Sequence, residues 1–227
     1  FILRWDRAAA LRTAWRRVLA RHQIKTFHSA HLKKRKGEFQ GWTDEQEFTL
    51  ISDLLPVLDN TFAPILSGIE TTAYEQLKLE ADDRAHIGSR TRMAMRGVIF
   101  NVANFVRDFK VHGEVHFLVD QGMPDWESLD FLRRRIEQSP TLKTEFPFLG
   151  PVIPESVEKS EELQAADLLA TESFRHISKE VLTGRDAYGH RLGAILGRYT
   201  KDRNFSKRWS EDAATAYTDY RKQGGEL

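Results

Sequence analysis

The sequence contains no cysteine. That absence removes disulfides, thiolate metal centres and cysteine nucleophiles together, and it suits a reducing compartment. Also missing is any apolar run near the roughly 20 residues that would span a bilayer, and no basic-then-apolar leader opens the chain. A cytoplasmic protein with no membrane partner is therefore expected. Neither sign of charge dominates: Lys and Arg number 34 against 33 Asp and Glu. No global field directs the protein to nucleic acid or lipid, and any such affinity has to be local. There is no Gly-rich phosphate loop, no Gly-x-Ser-x-Gly elbow and no His-Glu-x-x-His pair, which sets aside nucleoside-triphosphate, serine-hydrolase and zincin chemistry.

What is present is a chain of 227 residues, 41% hydrophobic, sufficient for a sizeable core. The chain reads as one α/β domain over residues 1–227, with 185–227 a helical C-terminal extension packed on it. Phe1-Ile2-Leu3 reads as the end of a strand already under way, so one or more strands are expected before Phe1. Asp6 is positioned to cap a helix that buries Ala8, Leu11, Trp15, Val18, Leu19 and His22. Ile24 to His28 is a short extended piece, and Lys33 to Trp42 a polar loop. Thr43-Asp44-Glu45-Gln46 opens a second helix with capping-box chemistry, carrying Phe48, Ile51, Leu54 and Leu55 up to Pro56.

Further along, Phe62 to Ile69 reads as a strand and Tyr74 to Arg90 as a polar stretch. Met93 to Phe109 is apolar on most of its circumference, which predicts a central, well-covered helix. Val115 to Asp120 reads as a buried strand ending on an acid. Asp125 is positioned to cap a helix with Trp126, Leu129, Leu132 and Ile136, and Phe146 to Pro154 reads as a loop and short strand. A long helix then runs to about Leu182. Beyond Arg185, helices near Arg191 to Tyr199 and Glu211 to Tyr220 flank a Trp209 segment.

The chemistry concentrates in Leu163-Gln164-Ala165-Ala166-Asp167-Leu168-Leu169-Ala170. At helical spacing Leu163, Ala166, Ala170, Phe174, Ile177 and Val181 share a stripe, and Asp167 lies at its edge. A carboxylate there loses hydration and needs a cation, a metal or several donors. Asp120, at the end of a buried strand, and Asp167 are therefore candidate oxygen ligands for Mg²⁺ or Mn²⁺. The competing readings are a turn cap for Asp120 and pairing with an arginine such as Arg92 or Arg96 for Asp167. His28 is a candidate base or metal ligand, or simply a histidine bonded to a backbone carbonyl. His31, His112 and His116 show no ligand spacing. Lys33, Lys34, Arg35 and Lys36, the arginines at 16, 17 and 21, and Arg133-Arg134-Arg135 are candidates for phosphate contact, with Trp42 and Phe39 for stacking; the alternative is a solvated charged face.

Phe27-His28, Gly37-Glu38-Phe39-Gln40-Gly41-Trp42, the strand ending at Asp120 and the Leu-Gln-x-Ala-Asp helix together resemble a bacterial family. It is known as domain of unknown function 3800, an RNase H-like group, and the resemblance covers roughly residues 1–182. It implies a mixed sheet flanked by helices and an acidic cluster to which Asp120 and Asp167 correspond. Family members begin with an Asp-Glu-Ser-Gly strand that supplies a further acid. No such tetrapeptide occurs here, so a complete site requires that acid upstream of Phe1. The expectation is a metal-dependent nuclease or related phosphoryl-transfer enzyme. Its alternatives are a non-catalytic module that binds nucleic acid or a protein, and a structural subunit with exposed Trp42, Trp209 and Tyr220.

Overall fold

The computed structural model describes residues 3–60 and 89–183 of the chain, leaving aside the side chains of 59–60 and 176–183. The expected strand at 62–69, most of the 74–90 stretch and the segments beyond Arg185 lie outside the described residues. Among the described residues helices and strands are mixed: seven α-helices and a two-stranded parallel sheet. They enclose two apolar clusters, one mostly helical and one built on the sheet.

The first cluster begins with α1 (Trp5–Arg21), whose Ala8, Leu11, Trp15, Val18 and Leu19 point inward as their spacing predicts. Leu3 precedes this helix without strand structure and packs on the cluster instead. Asp6 is not the cap; it sits in the first turn and accepts from Arg4. Ile24 to His28 then crosses the core without pairing to a strand, and Phe27 is fully buried. The polar loop is more ordered than its composition suggests. It contains α2 (Ser29–Lys33) and a 3₁₀ turn, Gly37–Phe39, that drives Phe39 into the core. Trp15, Phe27, Phe39 and Trp42 form a chain of edge-to-face rings with successive centroids 5.9, 6.5 and 5.1 Å apart.

Helix α3 (Asp44–Leu54) starts with the expected capping box. The Gln46 N–H donates to Thr43 Oγ1, and the Thr43 N–H donates to Gln46 Oε1 at 2.8 Å. Its buried side is Leu50, Ile51 and Leu54, whereas Phe48 is 53% exposed, so the stripe is turned from the predicted one. Pro56 falls in a 3₁₀ turn, Leu55–Asn60.

The second cluster contains α4 (Arg90–Asp108), capped by Ser89. It is less covered than its largely apolar circumference suggested. Met95, Ile99 and Val102 face in while Phe100 and Phe109 are exposed. Strand β1 (Val115–Asp120), α5 (Glu127–Gln138), α6 (Pro140–Glu145) and β2 (Leu149–Glu155) form a βαβ crossover, which is why β1 and β2 are parallel. The register slips near Gly150, where an added Cβ would stand 2.8 Å from the His116 ring and 3.0 Å from the Val115 carbonyl. Only glycine fits that approach. Asp125 does not cap α5 with its side chain; it accepts from the Ser89 hydroxyl at the start of α4.

Helix α7 (Glu161–Thr183) leaves β2 and returns to the first cluster, packing on α1, α2 and β1. Its buried side is Leu163, Gln164, Ala165, Leu168 and Leu169, continued by Glu172 and Ser173. Ala170 and Phe174, assigned to the apolar stripe from sequence, are exposed. The shift follows from Gln164. Only 2% exposed, its amide oxygen accepts from Trp15 Nε1 at 2.9 Å and from the Phe27 N–H at 3.1 Å, while its nitrogen donates to the Val157 carbonyl at 3.0 Å. A polar residue thereby faces the core because its surroundings are polar at three points.

Two tests follow from these contacts. Gln164→Ala leaves three buried backbone or indole groups without partners. It should destabilise the protein by about 3–5 kcal/mol in urea unfolding, given about 1–3 kcal/mol for each stranded group and partial relaxation. Gln164→Met should do no better, since volume is restored but the bonds are not. Asp53 gives the second: His22 hydrogen-bonds it, burial partly opposes, and Arg21 adds, so its carboxyl is held below the usual range. A lowered carboxyl contributes stability above its unfolded value near about 4, and that contribution is lost as the pH falls through the folded value. Between about pH 4 and pH 2 the wild type should lose unfolding free energy faster than Asp53→Asn, measured by urea titration at each pH.

Candidate functional site

The sequence candidates separate into two groups in space. Asp167 and His28 come together; Asp120 is engaged elsewhere. His28 is the residue before α2, in extended conformation, and its carbonyl accepts the N–H groups of His31 and Leu32 at 3.0 Å. This directs its ring toward α7. There the Asp167 carboxylate accepts the Ser29 N–H at 2.8 Å, and Asp167 Oδ2 lies 3.2 Å from His28 Nδ1. Both side chains are roughly one-third exposed or less. Among the described residues no arginine reaches Asp167, and Arg92 instead donates to Ser128 Oγ and approaches Asp125. The cation expected of an arginine is here an imidazole and a backbone amide.

The 3.2 Å approach is not a hydrogen bond. Among the described residues, the buried His28 Nδ1 lacks an aligned partner, and the adjacent buried Ser29 hydroxyl is likewise unpaired. Such orphaned polar atoms are uncommon in a settled core. The separation itself has a second meaning. Two donors about 2.0–2.2 Å from one divalent ion, at tetrahedral to octahedral angles, lie roughly 3.0–3.4 Å apart. His28 Nδ1 and Asp167 Oδ2 match that spacing.

Two residues that sequence reasoning passed over complete the surroundings. The His31 ring lies against that of His28, with centroids 4.6 Å apart and planes tilted by 30°. Glu158 lies in the turn after β2, where the Ser156 hydroxyl donates to it. That bond, with a backbone contribution and the fields of His28 and His31, holds its carboxyl below the usual range against the opposing effect of burial. The His28-x-x-His31 spacing was the available signal: it puts both rings on one side of the first turn of a helix. Nothing local in the sequence pointed to Glu158, which reaches the site only because β2 ends beside α2 and α7.

Asp120 stands at the carboxyl end of β1, with Glu155 as its register partner on β2. Its Oδ1 accepts the Gly122 N–H at 2.9 Å, closing the turn that follows. That is the turn-capping role weighed for it from the sequence. Among the described residues no group of three or more His, Asp or Glu side chains is arranged to hold a metal ion. The fit to a divalent ion is therefore two donors, His28 and Asp167, rather than a full set.

The basic candidates are spread widely. Arg35 is paired with Asp44 at 2.6 Å and Glu47 at 2.8 Å, Arg16 with Glu161 and Arg21 with Asp53. Arg133 and Arg134 grip Asp130, whose carboxyl they keep low although burial pushes it up. Lys33, Lys34 and Lys36 are exposed, while Trp42 packs against Phe39 and the first cluster rather than standing free. Comparison with protein-family models, with curated proteins and with solved structures finds no match.

The anchoring of Asp167 can be tested directly. Asp167→Ala strands the Ser29 N–H and should cost about 1–3 kcal/mol in urea unfolding, toward the lower end because the carboxylate is partly wet. Asp167→Asn keeps an acceptor and should recover most of that loss. Equal destabilisation by the two variants would mean the bond to Ser29 is not what holds this corner.

Proposed function

We propose that the protein is a divalent-metal-dependent hydrolase of phosphodiester bonds, of RNase H-like architecture, acting on nucleic acid. The observation that carries this reading is the orphaned His28 Nδ1 beside Asp167 Oδ2, two donors at the spacing of ligands on one ion. The parallel βαβ arrangement, with Asp120 and Glu155 at the carboxyl ends of neighbouring strands, supports it, because open α/β folds place their sites at those ends. His28 and Asp167 would hold the ion. Mn²⁺ suits an imidazole nitrogen beside a carboxylate better than Mg²⁺ does. Asp120 keeps one carboxylate oxygen free of its turn and supplies a further negative group at the sheet end. When bound, such an ion orients a phosphodiester and neutralises charge developing on it.

The chain's own residues supply the rest of the chemistry. Ser29 fixes the Asp167 carboxylate, so its position survives the arrival and loss of ligands. Glu158, whose carboxyl the Ser156 hydroxyl holds below the usual range, adds a carboxylate close to the two imidazoles. His31, exposed and stacked on His28, is the group best placed to exchange a proton with solvent.

A second reading is a non-catalytic module that binds nucleic acid. The absence, among the described residues, of a three-donor cluster favours it. One experiment separates the two. Cleavage of bis(p-nitrophenyl) phosphate and of a labelled oligonucleotide is followed with Mn²⁺, Mg²⁺ and chelator, alongside thermal stability at each ion concentration. The hydrolase reading expects Mn²⁺-dependent cleavage and a Mn²⁺-dependent rise in melting temperature. Cleavage should fall by at least about 10–100-fold in His28→Ala and Asp167→Asn, the loss that even an outer partner of a metal ligand produces, and the Mn²⁺-dependent rise should need correspondingly more ion. Oligonucleotide binding without cleavage or any ion-linked shift leaves the binding module.

A further inference from the structure

The apolar side that α4 and α5 share is not fully closed. Between the two helices runs a groove of about 470 Å³, floored by Ile99, Leu132 and Ile136. The starts of the two helices meet, the Ser89 hydroxyl donating to Asp125 and Arg92 Nε to Ser128 Oγ, and Arg92, Arg96 and Phe100 line the groove from one helix, Ser128, Phe131 and Arg135 from the other. The eight helical steps from Arg92 to Phe100 give the groove a length of about 12 Å.

Its chemistry is unusual for a surface cleft. Three arginines, Arg92, Arg96 and Arg135, and one acid, Glu127, line it; Arg92 also bonds Ser128 and approaches Asp125. Among the described residues Arg135 has no carboxylate partner, and its guanidinium carbon lies 6.0 Å from the Phe131 ring centre. Phe131 is 61% exposed and Phe100, which meets Phe146 edge to face, is 43% exposed, so both rings remain partly open to solvent. An acyl chain would need an enclosed slot. Exposed aromatic faces alternating with arginines match instead a strand of unpaired bases, stacked on the rings with phosphates against the cations. The start of α5 also follows Asp120 by a short turn, so one end of the groove opens at the same sheet edge as the strand ends.

We propose that this groove binds single-stranded nucleic acid, as the track that leads a strand past the ends of β1 and β2. The proposal rests on the nucleic-acid reading above, but its residues are separate from His28 and Asp167. The track predicts what each side chain does. Phe131 and Phe100 bind bases without regard to sequence, and Arg135 binds a phosphate.

Fluorescence anisotropy with the whole chain and a short fluorescein-labelled oligothymidylate tests it. Phe131→Ala and Phe100→Ala should each weaken binding on the order of tenfold, as loss of a stacking ring does, and Phe131→Tyr should restore it. Arg135→Gln should lower the slope of log affinity against log salt by about 0.7, one single-strand phosphate contact. The exposed positions chosen leave the core intact, and unchanged melting temperatures verify that each variant is folded. Binding that ignores both ring substitutions overturns the proposal. So does inorganic polyphosphate competing as well as the oligonucleotide, which would reduce the groove to a charge patch. Cleavage of bis(p-nitrophenyl) phosphate by the wild type reads the His28–Asp167 site without the track. If that cleavage occurs while oligonucleotide binding is indifferent to the groove, only the track falls; groove-dependent binding with no cleavage removes the hydrolase and keeps the track.

Discussion

One side-chain amide in a dry interior constrains the rest. Gln164 accepts from an indole and a backbone N–H and donates to a backbone carbonyl, and these three partners belong to α1, to the segment before α2, and to the turn between β2 and α7. Each partner is buried and would be costly to leave unpaired. The bonds therefore specify which turn of α7 faces the helical cluster, and hence where Asp167 stands one turn later. Apolar packing of Leu168 and Leu169 contributes the bulk of the burial, but packing alone tolerates rotation of a helix by a residue. Hydrogen-bond geometry does not.

From that constraint the site follows. With Gln164 holding Phe27, the next two residues are presented to the adjacent turn of the same helix, where Asp167 takes the Ser29 N–H and meets the His28 ring. The carboxylate is thus fixed by a bond that needs no titration, and the imidazole beside it is left with an unsatisfied nitrogen. A fold optimised for stability alone would have filled that position with a donor. Retaining it open is the kind of local cost that functional sites carry.

The sequence was readable where its signals were local. The inward face of α1, the capping box of α3, the acid-ended strand β1 and the helix carrying Asp167 all follow from spacing and capping chemistry over a few residues. It misled where burial depends on partners. Helix α4 looked apolar on most of its circumference, yet Phe100 and Phe109 are exposed. On α7 hydropathy placed Phe174 and Ala170 inside and passed over Gln164, because no scale credits an amide with three waiting partners. The pairing of His28 with Asp167 spans 139 positions, and the choice of imidazole over arginine was not encoded in either neighbourhood. Asp120 shows the converse: the acid at the strand end was found correctly, and its carboxylate closes the following turn.

The two apolar clusters divide the labour suggested for this protein. The helical cluster positions His28, Ser29 and Asp167, whereas the sheet cluster backs the groove between α4 and α5. Among the described residues, α7 and its approach turn link the two, with α7 in contact with β1. Glu158 lies in that approach turn, held by Ser156 and sensing both imidazoles. A displacement of β2 against the helices would change the distance from Glu158 to His28 and His31, and the Gln164 bond to the Val157 carbonyl restrains that displacement directly. The same amide that sets the rotation of α7 thereby also holds the turn from which Glu158 projects.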